Sequence, residues 1–166
     1  MNALPRIVLR EVQLFERPVT LRLPFRFGAA TVTRASQAFV RVVAEVDGHR
    51  STGATAELMV PKWFDKSPAL THEQNTEQLR QSLRIAQAEA LEAGPQPSAH
   101  ALSLDVHAAA LRIATAEGLP RLAAQFGPAQ LDKAVADAVL RARGRDWCTG
   151  LRAGLLGDPW SRTLPI

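Results

Sequence analysis

At 166 residues, with 46% hydrophobic and 22% charged residues, the chain has the size and balance of one ordinary globular domain with a real core. Its net charge of +4 lies in residues 1–50, which hold eight Arg against four acids. Those arginines are spread singly, as at Arg6, Arg17, Arg26 and Arg41, so they form no phosphate-tracking run and no nucleic-acid partner is expected. The lone Cys148 excludes an intrachain disulfide and a cysteine-based zinc site. No apolar run reaches the length of a membrane span, and Pro5 and Arg6 interrupt any N-terminal signal core. A cytoplasmic protein without a membrane partner is the expectation.

Ile7 to Phe15 reads as a first strand, with Val8, Val12 and Leu14 on one face. Glu16-Arg17-Pro18 is expected to break it. Val19 to Phe27 reads as a second extended segment, and Pro24 argues for an edge or a strand end. Gly28 to Ser36 reads as a loop of small residues. Gln37 to Val46 is the clearest strand. Val40, Val42, Ala44 and Val46 fall on one face; Phe39, Arg41, Val43 and Glu45 fall on the other. Asp47-Gly48 suits a tight turn because Gly accepts positive φ, and the chain should return through His49 to Thr55. The pattern predicts a three-stranded antiparallel meander, with room for a short fourth strand and one face to cover.

After Glu57 the period changes. Thr71-His72-Glu73-Gln74 has the capping-box pattern, and the helix it opens should run to Ala93, with Gly94 as a left-handed stop. Leu79, Leu83, Ala86 and Ala90 share one face. Pro95-Gln96-Pro97 is a short linker. Ser98 can cap the next helix, whose stripe reads Ala101, Leu104, Ala108 and Leu111, ending at Gly118. Pro120 opens a brief helix to Phe126, and Gly127-Pro128 should separate it from the next, with Pro128 near the helix start. Leu131, Val135, Ala138, Val139 and Ala142 should face inward, with Gly144 as the end. Trp147 to Leu156 reads as a last short helix before the tail DPWSRTLPI. Strands first and helices after predict an α+β fold, with 1–57 mainly β and 71–157 mainly α in a single domain.

No Gly-rich phosphate loop, GxGxxG or GxSxG is present. Gly150-x-x-x-Gly154 reads as a small-residue contact between helices. His49, His72, His100 and His107 read as solvated polar residues; His100 and His107 lie about 10 Å apart by helix rise, too far to share one metal directly. Asp132 is expected in the first turn of its helix, favoured by the dipole. Asp137, amid Val135, Ala136, Ala138 and Val139, reads as a partly buried structural carboxylate. The most site-like cluster is Lys62, Asp65 and Lys66 beside Trp63 and Phe64. Two ammonium groups near aromatic rings can meet a small anion in a half-dry pocket. On the residues alone, a surface loop pinned by Trp63 explains them better.

The order of these pieces resembles the N-terminal capping domain of the enolase superfamily, in its mandelate racemase and muconate lactonizing enzyme branch. The residues that carry the likeness are Pro24-Phe25-Arg26-Phe27-Gly28, the Val-rich strand, Asp47-Gly48, and the run Thr52-Gly53-Ala54-Thr55-Ala56-Glu57, which matches the family's Gly-x-Gly-Glu approximately. The likeness covers nearly the whole chain as a pattern. It implies two loops, roughly Pro24–Ala35 and Gly53–Lys66, closing over an active site and shaping substrate choice. The substrate-facing residues would be Phe25, Phe27, Thr31, Met59, Lys62, Trp63, Phe64 and Lys66. It also implies a partner, a C-terminal β/α barrel in cis or in trans, where magnesium and a Lys-x-Lys pair perform proton abstraction next to a carboxylate. This chain holds only Lys62, Lys66 and Lys133, and no train of strands after Glu57. A barrel of about 200 residues or more is expected to begin where this chain ends.

The sequence therefore predicts a capping domain with no catalytic residues and no cofactor of its own, inactive alone: a truncated or split isomerase-like enzyme. Self-association is a further expectation, through the apolar face where a barrel would dock. Two other readings stand beside it. One is a free-standing module that binds a small anion or a partner through its aromatic loops. The other is a small enzyme centred on Lys62, Asp65 and Lys66.

Overall fold

The computed structural model describes residues 4–28 and 30–157; the tail from Asp158 onward lies outside them. Three antiparallel strands, β1 (Ile7–Phe27), β2 (Ala30–Val46) and β3 (His49–Met59), form one sheet in the order β1-β2-β3. Asp47 and Gly48 both take positive φ, 48° and 82°, which makes the tight β2–β3 turn. Asp47 also accepts from the Arg6 backbone N–H at 2.9 Å, tying the start of β1 to this turn.

The expected break at Glu16-Arg17-Pro18 does not occur. β1 runs through it, with Arg17 opposite Gln37 and Pro18 opposite Ser36. β1 is an edge strand, where a residue without an N–H removes no ladder bond on the outer side. The expected loop from Gly28 to Ser36 is strand from Ala30 onward. So the fourth strand is absent among the described residues, and β1 absorbs two predicted segments. β3 ends opposite Ser36. Beyond that pair, β1 and β2 continue as a two-stranded ribbon, irregular between Thr20 and Phe25.

Val40, Val42, Ala44 and Val46 are buried on the inner face, as the alternation predicts. In β1 the face changes at a bulge between Leu9 and Glu11. Ile7 and Leu9 before it, and Val12 after it, are buried; Val8 lies opposite Glu45 on the outer face, not with Val12. One extra residue shifts the alternation, which a period-2 reading cannot detect.

The inner face is covered by α2 (His72–Glu92) and α5 (Phe126–Ala142), and α3 (Ala99–Ala116) packs on these two helices; α1 (Pro61–Phe64), α4 (Arg121–Ala124) and α6 (Trp147–Arg152) are short. Thr71 caps α2 with the full capping box, and Gly94 stops it at φ 65°. Ser98 caps α3, accepting from the Ala101 N–H at 3.1 Å. The buried stripe of α3 is Leu102, Val106, Ala110 and Ala114, on nearly the opposite face from the predicted one: Leu104 and Ala108 are exposed. Gly127-Pro128 does not separate two helices; both residues lie in the first turn of α5. Ala142 is exposed. Gly150 meets the Leu140 side chain, as a small-residue contact should, whereas Gly154 takes φ 67°.

Two close approaches set the layers. At Gly53 a Cβ would run into the Ala134 carbonyl and the Ala138 backbone of α5. At Gly127 it would run into the Ser82 backbone of α2. Ser82 fixes that second contact: its hydroxyl donates to the Ala124 carbonyl and accepts from the Gly127 N–H, both at 2.8 Å. Asp137 is structural, as expected. It accepts from the Ala54 N–H on the free edge of β3 at 2.9 Å and pairs with Arg141. Sheet and helices share one core, from Ile7 and Val42 to Leu79, Val106 and Val139.

Candidate functional site

The tip of the β1–β2 hairpin meets α1 at one end of the sheet. The Phe27 and Trp63 rings pack edge to face with centroids 5.3 Å apart, and Phe25 follows at 5.6 Å from Phe27. Phe25 and Trp63 stay about half exposed, at 51% and 57%. The two segments are at the same end, as the family likeness implies, but they are not loops. Phe25 and Phe27 lie on β1, and Trp63 and Phe64 lie on a helical turn that opens at the buried Pro61. Phe64 turns toward the core and packs edge to face on Phe126 at 5.2 Å.

The charged cluster beside Trp63 is engaged in holding its own loop. Lys62 Nζ donates to the Ser67 and Leu70 carbonyls at 2.7 and 3.1 Å. Asp65 accepts from the Ser67 N–H and from the side chains of Asn75 and Gln78. Lys66 is exposed. Thr31 lies opposite Arg26 near the hairpin tip and, with Phe27 and Lys62, borders a shallow recess of about 250 Å³. Met59 is in the core, 1% exposed.

A second group was invisible in the sequence. His107 on α3 is not simply solvated. Its Nδ1 is 2.6 Å from Gln125 Oε1 and its Nε2 is 2.7 Å from Asp132 Oδ2. Both neighbours are oxygens, so the ring suits a proton on each nitrogen. The bond to Asp132 raises the His107 pKa above the usual imidazole value; burial opposes this, and Gln125 adds to it. Asp132 is in the second turn of α5, not the first, and serves His107 more than the helix dipole.

The two groups border the same groove. The end of β3, α1 and the α4–α5 corner enclose about 720 Å³. Phe25, Trp63, Phe64, Leu122 and Phe126 give it apolar walls. Gln125, Gln130 and Asp132 supply polar groups, and Lys133 pairs with Glu57 at 2.9 Å within the same lining. Gln130 is 4% exposed, and its Oε1 has no hydrogen-bond partner. Phe126, Ala129, Gln130 and Lys133 repeat at helical spacing, so one side of α5 lines the groove. That spacing was the one signal available. The partners on α3 and α4 come from the tertiary fold: His107 and Asp132 are 25 residues apart.

Among the described residues, no three His, Cys, Asp or Glu side chains converge as metal ligands. The described residues therefore do not supply a ligand set for the magnesium that the resemblance implies for a full-length relative. No helix among the described residues is long and apolar enough to cross a membrane. Comparison with known proteins finds no matching family, curated protein or solved structure.

Proposed function

We propose that this chain is a capping domain, like the N-terminal domain of mandelate racemase and muconate lactonizing enzymes, that covers and tunes an active site on a β/α barrel. The observation that carries the reading is the aromatic end of the sheet. Phe25 and Trp63 come from segments far apart in sequence, share Phe27 between them, and keep half their surface open. Such a patch can exclude water from a site beneath it and select a substrate by shape. Lys62 and Asp65 then have a supporting role: they brace the turn that presents Trp63.

On this reading the chain alone does not abstract an α-proton. That chemistry needs a positioned base and stabilisation of the developing enolate charge, and in the family both lie on the barrel. A cytoplasmic setting and an isomerase-like whole enzyme go with the same reading. The test is exchange of the α-proton of candidate carboxylates in deuterated water with magnesium present. The purified chain is expected to give none, and a separately expressed barrel mixed with it is expected to give exchange. Exchange that tracks the purified chain alone and vanishes with a chelator overturns the proposal.

A further inference from the structure

We infer that the outer face of the sheet, turned away from the helices, is a platform for a short segment of single-stranded nucleic acid. It is a different surface from the aromatic end, and the inference needs no barrel.

The strand register makes the platform. The expectation of no nucleic-acid partner rests on arginines that stand singly along the chain. From Arg17 to Ala44, however, there is no acidic residue at all. Antiparallel pairing gathers this stretch into three successive rungs on one face: Gln13 opposite Arg41, Phe15 opposite Phe39, and Arg17 opposite Gln37. Two rings side by side are thus bracketed by an arginine before and an arginine after. Rungs on one face recur about every 7 Å, a spacing that an extended nucleotide backbone can follow. Phe15 is 56% exposed, and Arg17 and Arg41 are exposed too.

The two bracketing arginines keep their charge. Further along the same face Arg10 is paired with Glu45 and Arg50 with Glu11, both at 2.7 Å. Arg17 and Arg41 are held by glutamines instead. Gln37 Oε1 accepts from Arg17 Nε and Nη2 at 3.2 and 2.9 Å, and Gln13 Oε1 accepts from Arg41 Nη1 at 2.7 Å. A glutamine orients a guanidinium without cancelling its charge, and each guanidinium keeps N–H donors for a phosphate. Arg17 also lies over the Phe39 ring, 5.4 Å from its centroid. The middle rung therefore offers a base the Phe15 ring on one strand and a guanidinium backed by a ring on the other. Bases of single strands stack on both kinds of surface.

These features choose among occupants. A second copy would set the arginines against the same arginines across a two-fold axis. A duplex keeps its base faces stacked inside and offers Phe15 nothing to stack on. A single strand supplies phosphates and open base faces together.

The experiment is fluorescence anisotropy of labelled oligothymidylate and oligouridylate, titrated with the whole chain over a series of salt concentrations. The two probes share phosphates and open bases, and the ratio of their affinities tells DNA from RNA. Each is expected to bind more tightly than a duplex of the same length, and more weakly as salt rises. Phe15→Thr should weaken binding about tenfold, within the range for one stacked base, and leave the salt slope unchanged. Arg17→Gln and Arg41→Gln should each weaken binding and reduce the slope by about 0.7, the value of one phosphate contact on a single strand. The urea midpoint of each variant verifies that it is folded. Backbone NMR shifts of the native ¹⁵N-labelled chain should map to the three rungs. The inference is overturned by no binding at low salt, by duplex binding as tight as single-strand binding, by unchanged affinity in Phe15→Thr, or by shifts confined to the aromatic end. Tighter binding to phosphatidylserine vesicles than to either oligonucleotide, lost in the same variants, also overturns it and makes a membrane surface the occupant.

Discussion

The two faces of the sheet are made by the same three strands, and they are held by different physics. On the inner face Val40, Val42, Ala44 and Val46 are at most 2% exposed, and α5 lies so close that only Gly53 fits beneath it. The outer face is latticed by polar pairs that cross strands: Arg10 with Glu45, Arg50 with Glu11, Arg41 with Gln13, and Arg17 with Gln37. Arg17 also lies over the Phe39 ring, 5.4 Å from its centroid. Val43 is buried there, between Glu11 on β1 and Thr52 on β3 in register. Burial and backbone proximity make the inner face intolerant of volume, whereas exposed ion pairs add little and yield easily.

The comparison is broken most severely at Gly53. Gly53→Val would drive a branched side chain into the Ala134 and Ala138 backbone. Backbone cannot rotate aside, so a loss of about 3 kcal/mol or more is expected in urea unfolding, the upper end for overpacking. A variant as stable as the native chain would mean that α5 does not sit on β3. Ser82→Ala tests the second close approach. It leaves the Ala124 carbonyl and Gly127 N–H without partners inside the core. A loss of about 2 kcal/mol is expected by the same measurement, with the m-value unchanged.

Where local chemistry decides, the fold was legible. Thr71 and Gln74 announce the capping box, Asp47-Gly48 the turn, Gly94 the stop, and Val40 to Val46 the central strand. Where position in the sheet decides, it was not. Pro18 reads as a break, but an edge strand tolerates it, and nothing local marks β1 as an edge. The bulge near Arg10 reverses the faces of β1 without a sequence sign. In α3 the alanines at 101, 108, 109 and 110 make more than one face small and apolar, so the buried stripe falls on nearly the opposite face from the predicted one. The aromatic end was legible because the resemblance pairs the segment of Phe25 and Phe27 with that of Trp63. The His107–Asp132 pair and Gln130 were not, because their meaning arises only when α3, α4 and α5 meet.

That pair gives a pH signature, smaller because it is partly solvated. The folded-state pKa of His107 is raised by Asp132, so its stabilisation is fully present below the unfolded-state value, about 6.5. It is lost as pH rises through the folded-state pKa. Stability measured from pH 5 to pH 8 should fall across that window in the native chain, and the fall should be absent in His107→Gln. A native profile that rises with pH there would place the ring in the neutral form with a different partner.

The smallest effect is expected on the outer face. Phe15 is 56% exposed and lies opposite Phe39 in register. Phe15→Thr removes one side of that cross-strand pair but keeps a residue that favours strands. An exposed position away from the packed layer should change stability by no more than about 0.5 kcal/mol. The measurement is urea unfolding at several protein concentrations, since the alternative is specific. If a second copy covers this face, Phe15 is buried in the assembly and its loss becomes several times larger. The native midpoint then also rises with concentration, because association stabilises the folded chain by mass action. A small, concentration-independent change leaves the outer face open in solution and keeps the contrast with Gly53 intact; a large, concentration-dependent one moves Phe15 and Phe39 into a second core shared between chains.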